Sequence, residues 1–97
     1  MNTLIIIKNI IPDSAVYVGT ATDPSEPIFY ERRVMSGAVE FAYDYVGDQD
    51  VFVRVVNPGW KMYNKTHTIK QDGLLIELGN PEIDTAYIAE EKPNVKI

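Results

Sequence analysis

Residues 38–56 read AVEFAYDYVGDQDVFVRVV, and this stretch decides the fold class. An apolar or aromatic side chain stands at every second position from Val39 to Tyr45, and valine stands at every second position from Val51 to Val55. Strict alternation directs the apolar side chains of an extended strand to one face. The stretch therefore predicts two half-buried β-strands joined by a short loop, the second of them central in its sheet.

The composition of the whole chain favours the same class. Of its 97 residues, 27 are Val, Ile or Thr, whereas the better helix formers Leu and Ala number only 4 and 6. β-Branched side chains have stiff χ1 rotamers that suit a pleated sheet better than a helix. Turn signals recur about every ten residues, which is the spacing of a sandwich or a barrel. We therefore expect an all-β protein, a single antiparallel β-sandwich of about seven strands.

Strand and turn patterns divide the rest of the chain. The third strand carries Glu31, Arg32 and Arg33 in succession, and we expect it at a sheet edge because edge strands often carry charges. Asp72-Gly73 is a common two-residue hairpin turn, which predicts that the last two strands pair with each other. The predicted strands span residues 3–8, 15–20, 28–34, 38–45, 50–57, 66–71 and 74–78.

Charge and cysteine content exclude several classes of function. Nine basic against fourteen acidic residues give a formal net charge of −5 and a pI near 4.7, so the chain lacks a basic footprint for nucleic acid or for an anionic membrane. The absence of cysteine excludes disulfides, thiolate zinc sites and cysteine nucleophiles. The apolar run at residues 4–7 is too short for a signal-peptide core or a membrane span. We expect a protein that is assembled inside the cell.

Residues able to carry catalysis or to bind a metal are few. His67 is the only histidine, and no nucleophile-elbow pattern or glycine-rich phosphate loop accompanies it. We therefore expect no enzymatic activity and no cofactor, with His67 packed on a strand or at the surface. Asp44, Asp48 and Asp50 cluster around one loop, which we interpret as a solvated hairpin loop, with a calcium site as the alternative.

Four aromatic residues fall outside the predicted core positions. Tyr17, Tyr30 and Phe52 lie opposite the inward-facing residues of their strands or on an edge, so they are either contacts for a neighbouring subunit or ordinary surface residues. Trp60 follows a Pro-Gly turn, and we interpret it as a cap on the end of the sandwich rather than a ligand platform.

The last 18 residues differ in character from the rest. Residues 80–97 hold four acids and two lysines without strand alternation, and such a segment cannot bury itself. We interpret residues 1–79 as the β-sandwich domain and residues 80–97 as an extended C-terminal arm laid across a neighbouring protein; folding back over its own sheet is the alternative. The predicted partner-binding residues are Ile83, Tyr87, Ile88 and Ile97 in the arm and Tyr30, Arg32 and Arg33 on the polar strand.

Several short motifs resemble a known type of domain. The segments NIIPDSAVYV at residues 9–18 and FVRVVNPGW at residues 52–60 are similar to the opening hairpin and a middle strand-and-turn of small immunoglobulin-like or prealbumin-like domains, and residues 66–78 resemble their final hairpin. Such domains occur as carboxypeptidase regulatory-like modules and as stand-alone structural proteins of tailed bacteriophages. The phage versions often end in an I-D-x-x-Y stretch, which residues 83–87 match.

The resemblance implies a non-enzymatic structural or assembly protein, a small virion component of a tailed bacteriophage that is associated with the head or the tail. Such a protein is assembled in the host cytoplasm and resides in the virion. It binds other virion proteins, or copies of itself, through sheet edges and the C-terminal arm. The alternative is a ligand-binding β-sandwich module for carbohydrate or calcium.

Overall fold

The computed structural model describes residues 2–22 and 27–83, which form seven strands and contain no helix. This confirms the predicted all-β class and the number of strands. The strands are β1 (Asn2–Lys8), β2 (Ser14–Thr20), β3 (Pro27–Val34), β4 (Val39–Asp44), β5 (Gln49–Val56), β6 (Tyr63–Ile69) and β7 (Leu74–Glu77). Among these described residues there is accordingly no helical segment that could cross a membrane.

The strands form two sheets that pack face to face as a β-sandwich. One sheet has three strands in the order β4-β1-β7, and the other has four in the order β3-β2-β5-β6. Every pair is antiparallel except β1 with β7, which run parallel. β5 lies inside its sheet and β3 lies at an edge, as the alternation of the first and the charges of the second predict.

The core lies between the two sheets and follows the alternation of the strands. Every second residue along β1, β2 and β5 is buried, and each aliphatic side chain removed from water contributes about 1.5–3 kcal/mol. Phe29 of β3 and Phe41 of β4 stack across the gap between the sheets, with ring centroids 4.4 Å apart. The buried aliphatic residues are Ile5, Ile7, Ile10, Val16, Val18, Val34, Val39, Val51, Val53, Val55, Ile69 and Ile76.

The turn at Asp72-Gly73 is present, but the hairpin predicted from it is wrong. The Gly73 N–H donates to the Lys70 carbonyl oxygen at 2.9 Å, and Gly73 has a φ of 101°. β6, before the turn, belongs to the four-stranded sheet, whereas β7, after it, pairs with β1 in the other sheet. Because β1 offers β7 a row of backbone partners and a buried position for Ile76, the turn carries the chain from one sheet to the other.

The opening hairpin implied by the resemblance is also wrong, since β1 and β2 lie in different sheets. The connection passes through Asn9 and Asp13, which both have positive φ, at 63° and 74°. Asn and Asp adopt this left-handed conformation more readily than other non-glycine residues. Between them Ile10 is buried, and its N–H donates to the Gly37 carbonyl oxygen at 2.8 Å. The connection is therefore a crossing between sheets that is anchored in the core.

Residues 78–83, named here the strap, cross one end of the sandwich after β7. The first strap residue donates a hydrogen bond to the end of β1. Further along, the Lys61 N–H donates to the Glu82 carbonyl oxygen at 2.8 Å, and the Lys61 Nζ lies 3.3 Å from the Glu82 Oε2. Trp60 and Ile83 form an isolated antiparallel bridge. The strap therefore joins the end of the three-stranded sheet to the turn that follows β5.

Candidate functional site

The outward face of the four-stranded sheet carries a row of aromatic and arginine side chains. Strand register places Tyr17 of β2 between Tyr30 of β3 and Arg54 of β5, and it places Gly19 opposite Phe52. These positions alternate with the buried valines of β2 and β5, so their side chains point away from the core. Tyr17, Tyr30, Phe52 and Arg54 are named here the aromatic face.

Tyr17 and Tyr30 form an edge-to-face pair on two adjacent strands. Their ring centroids lie 6.4 Å apart with an interplanar angle of 62°, which is a favoured geometry for two aromatic rings. Tyr30 remains 58% exposed and Tyr17 is half-buried. The pair thus holds a large aromatic surface in a defined orientation while leaving it accessible to solvent.

Gly19 gives Tyr17 the space to lie flat against the sheet. A Cβ atom at Gly19 would stand 2.8 Å from both the Cε1 and the hydroxyl oxygen of Tyr17, closer than real Cβ contacts allow. The tyrosine ring therefore occupies the position that a side chain at Gly19 would take. A glycine inside a strand commonly marks such a close approach.

Arg54 lies over the ring of Phe52, two residues away on the same face of β5. The guanidinium carbon is 5.2 Å from the ring centroid, within the range of a cation–π contact. Phe52 is half-buried and Arg54 is exposed. The contact places the guanidinium beside the Phe52 ring on the outward face of β5.

The residues predicted on β3 go to two different places. Tyr30 joins the aromatic face, whereas Arg33 forms an exposed ion pair with Asp13, its Nε lying 2.5 Å from the Asp13 Oδ1. Arg32 is exposed beside it. The pairing of β3 with β2 shifts register at two points along this edge. The roles of Tyr30, Arg32 and Arg33 in partner binding stay predictions.

Only one of the predicted arm residues is described. Ile83 is bridged to Trp60 through the backbone, and its side chain is 55% exposed. Tyr87, Ile88 and Ile97 lie outside the described residues. The division of the chain between residues 79 and 80 stays a prediction.

A groove of about 170 Å³ lies beneath the strap at the end of the sandwich. Trp60, Tyr63 and Leu78 line it with apolar surface. Asn57, also in the lining, donates from Nδ2 to the Pro12 carbonyl oxygen at 3.1 Å, so its amide already holds a loop in place. Pockets for small molecules usually measure roughly 300–1,000 Å³. The groove therefore has room for one side chain or a very small ligand.

His67 is packed on β6 against Tyr63. The Tyr63 hydroxyl lies 2.6 Å from the His67 Nε2, and the two rings are stacked with centroids 6.0 Å apart. Burial, followed by the positive charge of Lys65, lowers the pKa of His67 below its ordinary value of 6.5, because a low-dielectric site disfavours the charged imidazolium. The ring is neutral at pH 7, and its position on a strand agrees with the expectation from the sequence.

Hydroxyl groups bind two of the three aspartates in and beside the loop between β4 and β5. The Tyr45 hydroxyl donates to the Asp48 Oδ1 at 2.7 Å, and the Thr68 hydroxyl donates to the Asp50 Oδ1 at 2.6 Å. Across residues 2–22 and 27–83, no three His, Asp or Glu side chains converge as metal ligands. The calcium alternative for this loop gains no support from the described geometry.

Arg54 and Gly19 belong to this site but were not predicted as part of it. Both carried a local signal, since Gly19 interrupts a strand pattern and Arg54 shares the face of Phe52 by alternation. The local sequence pattern does not determine the register between strands. It is this register that places Tyr17 between Tyr30 and Arg54.

Comparison with known proteins leaves the function to be argued from this geometry. No protein-family model, no curated protein and no solved structure matches the chain.

Proposed function

We propose that this chain is a non-enzymatic structural protein that binds a neighbouring protein through its aromatic face. The observation that carries the proposal is the row of Tyr30, Tyr17 and Arg54 across three adjacent strands, with Phe52 beside the guanidinium. Tyrosine and arginine are enriched among the residues that dominate binding energy in protein interfaces. Because a sheet presents them in a preformed arrangement, little conformational entropy is lost on binding.

The predicted edge and arm residues supply further contacts in this proposal. Arg32 and Arg33 lie on the strand that carries Tyr30, so a partner covering the aromatic face would meet them at its polar rim. Ile83 offers an exposed apolar side chain at the end of the sandwich. Three further arm residues are included among the proposed contacts because of the sequence alone: Tyr87, Ile88 and Ile97.

A finer form of the proposal makes the chain a small virion component of a tailed bacteriophage. The motif at residues 83–87 supports this form. The strand order also bears on the resemblance, since constant-type immunoglobulin domains pair their strands as A-B-E-D and C-F-G. Here the first two strands lie in different sheets, which departs from the immunoglobulin order.

A second candidate function is the binding of a small ligand in the groove beside Trp60. The groove offers the aromatic surfaces of Trp60 and Tyr63 and has room for a very small ligand. A ligand of this kind would raise the melting temperature in a saturable manner, since it binds only the folded chain.

The test of the proposed function compares which neighbouring proteins are retained with the purified wild-type chain and with its variants. A tagged chain is cross-linked and purified from the cells that produce it, retained proteins are identified by mass spectrometry, and purified virus particles from the same cells are assayed for the chain. We expect Tyr30→Ala and Arg54→Ala each to reduce the yield of the retained neighbour by about tenfold, the effect of losing one residue at the centre of an interface. Gly19→Ala should have a similar effect by displacing the ring of Tyr17.

Leu75→Ala is the matched control. It removes a 57%-exposed apolar side chain from the three-stranded sheet, away from the aromatic face, and should leave the retained neighbour unchanged. A neighbour retained equally by Tyr30→Ala, Arg54→Ala and wild type would contradict the proposal. If the chain is present in purified virus particles, it is a virion component; if it is absent from them, its structural role lies elsewhere.

A further inference from the structure

Two strand edges of the sandwich are regular and open on one side. Within residues 2–22 and 27–83, β6 pairs only with β5, through seven consecutive residue pairs, and β4 pairs only with β1, through six. The β3 edge instead contains two register shifts and the ion pair of Arg33 with Asp13, and β7 has only four residues. Irregular or very short edges resist the addition of a strand. β6 and β4 are therefore the edges best suited to accept one.

The β4 edge and the β6 edge face opposite sides of the sandwich. Phe29 of β3 stacks on Phe41 of β4, so β3 and β4 lie at the same side. β6 lies at the other end of the four-stranded sheet from β3. Two edges that face away from each other on one molecule can join successive copies head to tail.

These two edges carry opposite charge. β6 contains Lys65 and no acidic residue, although the chain as a whole has a net charge of −5. β4 contains Glu40 and Asp44 and neither lysine nor arginine. The charge of the molecule is therefore distributed so that one open edge complements the other.

Lys65 and Glu40 would lie on the same side of a joined sheet. Lys65 pairs with the buried Val53 and so has the inward parity of its strand, whereas Glu40 follows the buried Val39 and has the outward parity. In such a head-to-tail arrangement, the four-stranded sheet of one copy continues into the three-stranded sheet of the next, and the second sheets of the two copies lie on opposite sides of the joined sheet. The inward face of the first then continues as the outward face of the second, which brings Lys65 and Glu40 together.

We propose that β6 of one copy of this chain pairs with β4 of a second copy, joining the molecules head to tail with Lys65 beside Glu40. This inference rests on the proposed structural function and names a partner for it, a second copy of the chain. Symmetric pairing of β6 with β6 would bring lysines together, and pairing of β4 with β4 would bring carboxylates together. Like charges across an interface oppose association, so the head-to-tail arrangement is the one that the charges permit.

The test reverses one charge on each edge of the full chain and measures mass by sedimentation velocity and light scattering. We expect wild type to show a mass that rises with protein concentration. Lys65→Glu alone and Glu40→Lys alone should each raise the dissociation constant by about tenfold or more, because each places like charges at the joint. High salt should weaken the wild-type association, since at 1 M it screens charges beyond about 3 Å.

Complementation separates the proposed joint from a loss of folding. A mixture of Lys65→Glu chains with Glu40→Lys chains should associate more tightly than either variant alone, because every joint between the two variants pairs opposite charges. One chain carrying both substitutions should associate with itself as wild type does. Asp72→Lys, which makes the same change of net charge as Glu40→Lys but lies in the turn after β6, should associate normally.

Two results would overturn the inference. One is a wild type that stays monomeric at every concentration; the other is a mixture of the two single variants that fails to associate. The first result would overturn the inference even if a chain that ends at Ile83 associated, because the inference concerns the full chain. Failure of the proposed function is distinguishable, because Tyr30→Ala tests the aromatic face and leaves both edges intact.

Discussion

The hydroxyl of Tyr63 lies 2.6 Å from Nε2 of His67. The two residues are four apart in sequence and lie on the same face of β6, with one residue of that face between them. With the imidazole proton on Nδ1, Nε2 accepts the hydrogen bond from the Tyr63 hydroxyl. Burial, and then the charge of Lys65, lowers the pKa of His67, and burial raises the pKa of Tyr63. Both groups are therefore neutral at pH 7, and the bond links two uncharged rings.

This pair predicts a pH dependence of stability. In the unfolded chain the pKa of His67 returns to about 6.5, so between the lowered folded-state pKa and 6.5 the unfolded chain binds more protons. The contribution of neutral His67 to the free energy of unfolding is complete above pH 6.5, and it is lost as the pH falls from 6.5 towards the lowered pKa. Urea unfolding at several pH values between about 5 and 8 measures it.

His67→Gln should flatten that pH dependence, since glutamine does not titrate. Lys65→Gln should narrow the pH range over which the free energy of unfolding changes. The substitution removes the second cause of the lowered pKa of His67, so the folded-state pKa moves closer to the unfolded value. A wild type and a His67→Gln variant with the same dependence on pH would contradict the interpretation.

Gly73→Ala should destabilise the fold strongly. Gly73 has a φ of 101°, and a Cβ atom there would collide with the carbonyl oxygen of Leu4 on β1. We expect a loss of about 2–4 kcal/mol in the free energy of unfolding, typical of a strained backbone position in contact with another strand. Gly79→Ala is the control, because nothing lies within 4 Å of a Cβ atom there. Equal losses in the two variants would argue against the close approach of this turn to β1.

Phe29 and Phe41 should show energetic coupling between the two sheets. Their rings are stacked with an interplanar angle of 15°, and aromatic pairs contribute about 0.5–1.5 kcal/mol beyond the area they bury. A double-mutant cycle with Phe29→Leu and Phe41→Leu, followed by denaturant unfolding, measures this coupling. Phe52 projects from the opposite face of its sheet and serves as the control. In a cycle with Phe29→Leu and Phe52→Leu, the two losses in the free energy of unfolding should be additive within about 0.5 kcal/mol.

A chain that ends at Ile83 should fold cooperatively with nearly the stability of the full chain. All seven strands, the buried core and the strap lie before that point. A chain that ends at Leu78 should melt at a lower temperature, because it loses the hydrogen bond between Lys61 and Glu82 and the bridge of Trp60 to Ile83. Calorimetry of both chains checks this; an unfolded chain ending at Ile83 would show that the domain needs residues 84–97.

What the sequence determined by itself is the direction in which side chains point. Alternation along Val39–Asp44 and from Val51 to Val55 predicted which side chains face the core, and the charges of β3 predicted its place at an edge. These are local properties, because successive side chains of a strand point to opposite faces. A few neighbouring residues are therefore enough to show which side chains share a face. The all-β class follows from the same local preference of β-branched side chains.

Only the tertiary structure decided which strands are neighbours. Asp72-Gly73 has the local chemistry of a hairpin turn, yet β7 pairs with β1, where Ile5 and Leu74 are partners from distant parts of the chain. The same holds for Tyr17, whose place between Tyr30 and Arg54 depends on the register of three strands. The physical reason is that strand pairing is selected by how well all the inward faces fill one common core, and that competition involves the whole chain at once.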